Sequence, residues 1–220
     1  MIKAIIFDLD GTLLDSLQDI ANSANTVLVK HKFPLHDIND YRYFVGSGVT
    51  ALMTHILPKD KRTGYMIKKC KDEFFEAYNE NWNIHTKPYE GIPELLNELA
   101  ARQLKLAVHS NKPDTFTQMC VRELLKGGLF DIILGERSRI PRKPNPAGAK
   151  QIAKWMNVSP EHTLYVGDTA TDMDTAIAAG MFPVGVLWGF RSQEELKKNG
   201  ARALVKYPQE ILLLLDRLIT

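Results

Sequence analysis

The stretch AIIFDLDGTLLDS, residues 4–16, runs four apolar residues into two aspartates, Asp8 and Asp10. A short apolar run without polar alternation is the pattern of a strand buried on both faces, as in a parallel sheet. Carboxylates are costly to remove from water unless a partner compensates their charge. A buried strand that ends on Asp8 and Asp10 therefore asks what sits opposite them.

Similar apolar runs recur at 105–109, 131–134, 163–166, 184–187 and 203–205. Helical patterns separate them at 93–102, 115–126, 146–156, 172–179, 192–198 and 208–218. This alternation predicts an α/β fold, a Rossmann-like parallel sheet with helices on both faces. Residues 15–86 break the rhythm with helical patterns at 17–30, 37–44, 49–56 and 59–82, and no convincing strand. The predicted organisation is a core of residues 1–14 and 87–220 with a small α-helical insertion, 15–86, between them. Pro88, Gly91 and Pro93 mark its far boundary.

A formal charge of +2 gives no case for nucleic acid or an anionic membrane as partner. No apolar run approaches the roughly 18 residues of a membrane span. The chain reaches Asp8 too early for a signal peptide, so a cytoplasmic protein is expected, as monomer or homodimer. Cys70 and Cys120 sit in helical patterns and are expected to be reduced thiols. The six histidines show no metal-ligand spacing.

The polar residues after the predicted strands carry the chemistry. Asp8, Asp10, Gly11 and Thr12 follow the first, Ser110 and Asn111 the second. Lys143 lies beyond the third, and Asp168 and Asp172 follow the fourth. In open parallel sheets ligands gather at the carboxyl ends of the strands. Parallel neighbours would thus aim these groups at one crevice. Carboxylates so close would raise one another's pKa unless a cation joined them. Oxygen-only ligands suit Mg²⁺, and the hydroxyl, amide and backbone N–H groups suit phosphate.

Taken together, DLDGT, SN, the lysine of RKP and GDTATD resemble, in order and spacing, the four motifs of the haloacid dehalogenase superfamily. VGSGVTALM, PYEGIPELL, AVHSNKP and VLWGFRSQEEL resemble its phosphoglycolate phosphatase branch. That branch has a helical cap after motif one. The resemblance implies that Asp8 is a nucleophile forming an aspartyl-phosphate and Asp10 the acid–base. It implies Mg²⁺ held by Asp8, the Asp10 carbonyl, Asp168 and, through water, Asp172. Lys143 would neutralise charge, while Gly11, Thr12, Ser110 and Asn111 bind the phosphoryl group. The implied substrate is a small phosphorylated metabolite, 2-phosphoglycolate first, with pyrophosphatase, broad sugar-phosphatase or phosphomutase activity as alternatives. A phospho-accepting signalling module also gathers acids and a lysine around an aspartate, but carries it on a later strand without a helical insertion.

Other residues have plainer readings. Arg42, Lys68 and Lys69 are candidates for a substrate carboxylate or for a solvated helix face. Gly46 and Gly48 could shape a cap loop or simply connect helices. His109 and Trp188 are expected to pack.

Overall fold

The computed structural model describes residues 1–125 and 127–219; Lys126, the last residue of the pattern 115–126, lies outside them. The chain divides into two compact units, Met1–Leu14 with Pro88–Thr220, and Asp15–Lys87.

The first unit is built on six strands: β1 (Ala4–Phe7), β4 (Lys105–Pro113), β5 (Ile132–Glu136), β6 (Thr163–Gly167), β7 (Phe182–Val186) and β8 (Ala203–Val205). Two short strands, β2 (Leu14–Asp15) and β3 (Lys87–Pro88), form a separate sheet where the chain passes from one unit to the other. The main sheet has the order β5-β4-β1-β6-β7-β8, and each registered neighbour pair is parallel. All four residues of β1 are wholly buried, as its unbroken apolar run requires. Helices α5 (Ile92–Ala101), α6 (Asp114–Leu124), α7 (Ala147–Trp155), α8 (Ala170–Ala179), α9 (Gln193–Lys198) and α10 (Glu210–Ile219) surround the sheet. Ala149, Ile152 and Ala153 of α7 and Ala176 and Ala179 of α8 share a core with Ala4, Ile6, Ala107, Leu134 and Tyr165. Helix α5 packs on β4, and α6 on both β4 and β5.

The second unit contains α1 (Leu17–Lys30), α2 (Tyr41–Phe44), α3 (Val49–Ile56) and α4 (Gly64–Asn81). The single helix expected over 59–82 is two elements, a 3₁₀ turn at Lys59–Lys61 and α4. Thr63 is extended and caps α4 through its hydroxyl, which accepts from the Met66 amide at 3.2 Å. The pattern at 37–44 likewise divides into a 3₁₀ turn, Ile38–Asp40, and α2. His31 pairs with Glu73 at 2.6 Å and Lys30 holds the other Glu73 oxygen at 3.0 Å. Cys70 is close to that pair, a grouping invisible in sequence spacing. Both cysteines are free and buried, and burial pushes the Cys120 thiol up to about 11. No helix of the described residues is long and apolar enough to cross a membrane.

Candidate active site

Register decides where the polar groups emerge. Phe7 pairs with Val108 on one side and Val166 on the other, so the residues after β1, β4 and β6 leave the sheet at neighbouring levels. Asp8 follows β1, its amide still donating to the Val166 carbonyl at 2.9 Å. Asp168 follows β6, and both aspartates are buried. Asp172 lies in the first turn of α8, where Oδ2 accepts from the Thr169 amide at 3.1 Å and hydroxyl at 2.7 Å. It thus completes a capping box. The Lys143 ammonium stands 2.8 Å from Asp8 Oδ1 and 2.7 Å from Asp172 Oδ1. Asp168 accepts from the Thr12 hydroxyl at 3.0 Å and from the Phe190 amide at 2.8 Å.

The turn after Asp8 is built for close approach. Gly11 has φ +86°, and a Cβ there would lie 2.3 Å from Asp168 Oδ2, so both conformation and space require glycine. A Cβ on Gly189 would meet Asp168 Cβ at 2.3 Å and the Gly11 carbonyl at 2.4 Å. Next to it, the Trp188 indole N–H donates to the Thr12 carbonyl at 2.9 Å. The loop after β7 therefore braces the DxDGT turn, a role for Trp188 beyond the packing expected of it.

Ser110 and Asn111 lie within β4 rather than after it, because β4 resumes pairing beyond an irregularity, with Pro113 opposite Glu136. The Asn111 side chain donates to the Lys143 carbonyl at 3.1 Å and accepts from the Lys143 amide at 2.9 Å. It fixes the segment that delivers Lys143. Sequence reasoning missed Lys112. This buried lysine donates to both Asp10 oxygens, at 2.9 and 3.1 Å. Its signal was the two-residue offset from Ser110, which puts both on one face of an extended segment.

Asp8, Asp168 and Asp172 place oxygens within 4.8 Å of one another. Burial first, then Asp172, pushes the Asp8 carboxyl well above its ordinary value, against the pull of Lys143. The same causes push Asp168 up to about 7. Burial works against the Lys143 charge, but Asp172 and Asp8 outweigh it and hold the ammonium well above its usual range. Three carboxylates face one ammonium, two positive charges short, and every donor at the cluster is oxygen. That donor set fits a divalent hard cation.

A stability test follows. Between about pH 4 and 7 the folded protein without metal keeps a proton on Asp168 that the unfolded chain has released, so this group lowers stability as pH rises. Buried His109, held neutral down to about 3, gives the opposite slope below pH 6.5. The difference in Tm with and without Mg²⁺ cancels the histidine contribution. That difference should grow from pH 5 to pH 7.5, as protons stop competing with the ion. A shift independent of pH would remove this cluster as the binding site.

The structure thus brings together Asp8, Gly11, Thr12, Asn111, Lys143, Asp168 and Asp172, with Asp10 and Ser110 on the adjoining turn and strand. Arg42, Gly46 and Gly48 belong to the helical unit. Gly48, at φ +85°, precedes α3, and Gly46 has φ +122°. Lys68 is exposed and pairs with Asp72 at 2.6 Å, as on a solvated helix face.

A family model described as haloacid dehalogenase-like hydrolase matches residues 5–186. The chain belongs to that family. Among curated relatives, a phosphoglycolate phosphatase of Aquifex aeolicus is 34% identical over 86% of this chain and 86% of its own length. An N-acetylmuramic acid 6-phosphate phosphatase of Pseudomonas putida is 27% identical, over 98% of this chain and 96% of its own. A solved structure described as a "predicted phosphoglycolate phosphatase" of Haemophilus somnus superposes with a TM-score of 0.90. It is 29% identical and covers 97% of both chains.

Proposed function

We propose that this chain is a Mg²⁺-dependent phosphatase of a small phosphorylated metabolite, with 2-phosphoglycolate as the leading substrate. That it is a phosphoric monoester hydrolase follows from its family and curated relatives; the metal, substrate and residue roles are the proposal. The contact that carries it is Lys143 on Asp8, 2.8 Å apart, with Asp168 and Asp172 beside them. A carboxylate so paired can meet an anionic phosphoryl group without prohibitive repulsion.

Asp8 Oδ attacks phosphorus as the ester P–O bond breaks, and Asp10, which must leave the Lys112 ammonium and take up a proton before this step, gives that proton to the departing oxygen. Asp10 then takes a proton from water, the hydroxide attacks phosphorus, and the bond to Asp8 breaks. Inorganic phosphate leaves, with both aspartates in their starting states. Ser110 and the Asn111 backbone hold the phosphoryl oxygens, and Gly11 and Thr12 shape the turn beneath them. Asp8, Asp168 and the Asp10 carbonyl would hold Mg²⁺, with Asp172 acting through water. Bound there, the ion supplies neutralising charge during transfer.

This core reads only the phosphoryl group. The unit Asp15–Lys87 is proposed as the cap that reads the rest of the ester. Arg42 and the Gly46–Gly48 loop are its first candidates for a substrate carboxylate. The proposed setting is a cytoplasmic monomer or homodimer. A second reading, a larger sugar phosphate, is supported by the N-acetylmuramic acid 6-phosphate phosphatase relative matching nearly the full chain.

Initial rates on 2-phosphoglycolate, N-acetylmuramic acid 6-phosphate, pyrophosphate and an aryl phosphate test both readings. Mg²⁺ should support turnover, and a chelator should abolish it. Ca²⁺, which prefers longer bonds and more ligands, should fail. The best ester identifies the substrate class. Arg42→Ala should cost the carboxylate-bearing ester roughly tenfold or more in kcat/KM and spare the aryl phosphate. Turnover in excess chelator would refute the metal dependence.

A further inference from the structure

The helical unit holds a second grouping of ligand-type side chains, which the proposed reaction does not use. His31 follows the last turn of α1, and Cys70 and Glu73 lie on α4, which packs against α1. Three residues apart on a helix, Cys70 and Glu73 share one face. An imidazole nitrogen, the thiol sulfur and a carboxylate oxygen, one atom from each residue, lie within 4.8 Å of one another. No spacing motif announces the set, because His31 precedes Glu73 by 42 positions.

The side chains are oriented toward a common point. His31 Nε2 faces Glu73 Oε2 at 2.6 Å, while Lys30 holds the other oxygen, Oε1, at 3.0 Å. Glu73 thus presents a single oxygen to His31, steadied by the lysine on its far side, as hydrogen-bonding partners steady ligating carboxylates elsewhere. The His31 ring stacks on Phe33, with centroids 5.5 Å apart and planes 19° from parallel, which holds its plane. Cys70 is fully buried, and the His31 and Glu73 side chains are only 12% exposed. A mixed sulfur, nitrogen and oxygen set does not suit Mg²⁺ or Ca²⁺, which take oxygen ligands. It suits Zn²⁺, which binds cysteine, histidine and carboxylate in tetrahedral geometry. Bonds of about 2.0–2.3 Å put the ligand atoms of such an ion about 3.3–3.6 Å apart. Reaching that spacing parts the His31–Glu73 pair by less than about 1 Å.

We propose that His31 Nε2, Cys70 Sγ and a Glu73 oxygen form a Zn²⁺ site that joins α1 to α4. On binding, the thiol gives its proton to solvent and its sulfur bonds to the ion. Three protein ligands leave the fourth tetrahedral position to water. The site stands apart from the phosphatase reading, and sulfur tells the two clusters apart. Asp8, Asp168 and Asp172 offer only carboxylate oxygens.

The test titrates Co²⁺, a spectroscopic stand-in for Zn²⁺, into the whole chain with its thiols reduced and Mg²⁺ saturating. One equivalent should produce a near-ultraviolet thiolate-to-metal absorption and the strong visible bands of a tetrahedral ion. Added Zn²⁺ should bleach both. Cys70→Ser should lose the ultraviolet band. His31→Gln and Glu73→Gln should each weaken Zn²⁺ binding by at least about tenfold, measured by competition with a chromogenic chelator. Wild type without a thiolate band would overturn the site, whatever the variants do. A band that survives Cys70→Ser would overturn it too, by assigning the metal to the other thiol, Cys120. Equal Zn²⁺ affinity in wild type, His31→Gln and Glu73→Gln would reduce the grouping to an ion pair beside a buried thiol.

Discussion

Asp8→Asn is expected to fold like wild type and to lose steady-state turnover by more than about 10³-fold, as the loss of a covalent nucleophile does elsewhere. The fold should survive because an amide oxygen can keep both bonds of Asp8 Oδ1. These are the Leu9 amide at 2.7 Å and the Lys143 ammonium at 2.8 Å. Removing one charge from a crowded acidic cluster also relieves repulsion. An amide cannot form the acyl phosphate, and it is a poorer metal ligand. Asp10→Asn makes the informative comparison, since it keeps the proposed nucleophile and should slow turnover by about 10²–10⁴-fold. Melting curves and kcat on the best ester check both variants. A tenth of the wild-type rate in Asp8→Asn would end the covalent mechanism.

Lys143→Met should damage stability and rate together. The side chain is buried and answers two buried carboxylates. Taking away one partner of a buried ion pair costs about 3–5 kcal/mol, because the other charges stay behind unpaired. In a protein of this size that amounts to a Tm loss of roughly 6–20 °C. Turnover should fall by about 10²–10³-fold, as when one preorganised charge donor is removed. The stability loss should be largest under chelation, when no other cation faces Asp8 and Asp172. Scanning calorimetry with and without Mg²⁺ measures it. A melting temperature within about a degree of wild type would mean that Lys143 is not holding the cluster together.

Much of the core is legible because its signals are local. Ala4–Phe7 and Ala203–Val205 have the bounds the apolar runs suggest, and so do the helices Leu17–Lys30 and Val49–Ile56. The convergence of Asp8, Lys143, Asp168 and Asp172 follows from strand order, which alternating strands and helices nearly dictate. What stays hidden depends on contacts between distant segments. Proline at 113 argues against a continuing strand, yet β4 pairs again at that residue across an irregularity. Lys112 looks like a solvated lysine until the fold brings Asp10, 102 positions away, to its ammonium. Trp188 and Phe190 reach the DxDGT turn only through the loop after β7, whose path no periodicity records. In the helical unit, Thr63 followed by Gly64 interrupts 59–82, with Thr63 capping the helix that follows.

Asp172 serves two structures at once. One oxygen secures the first turn of α8 through Thr169, and the other anchors Lys143. Helix ends fray far more readily than whole domains unfold. Opening that single turn would free the carboxylate from its cap and loosen the lysine with it. On the proposed role of Lys143, activity is therefore expected to fall on warming through a local event at one helix end, before the six-stranded sheet unfolds.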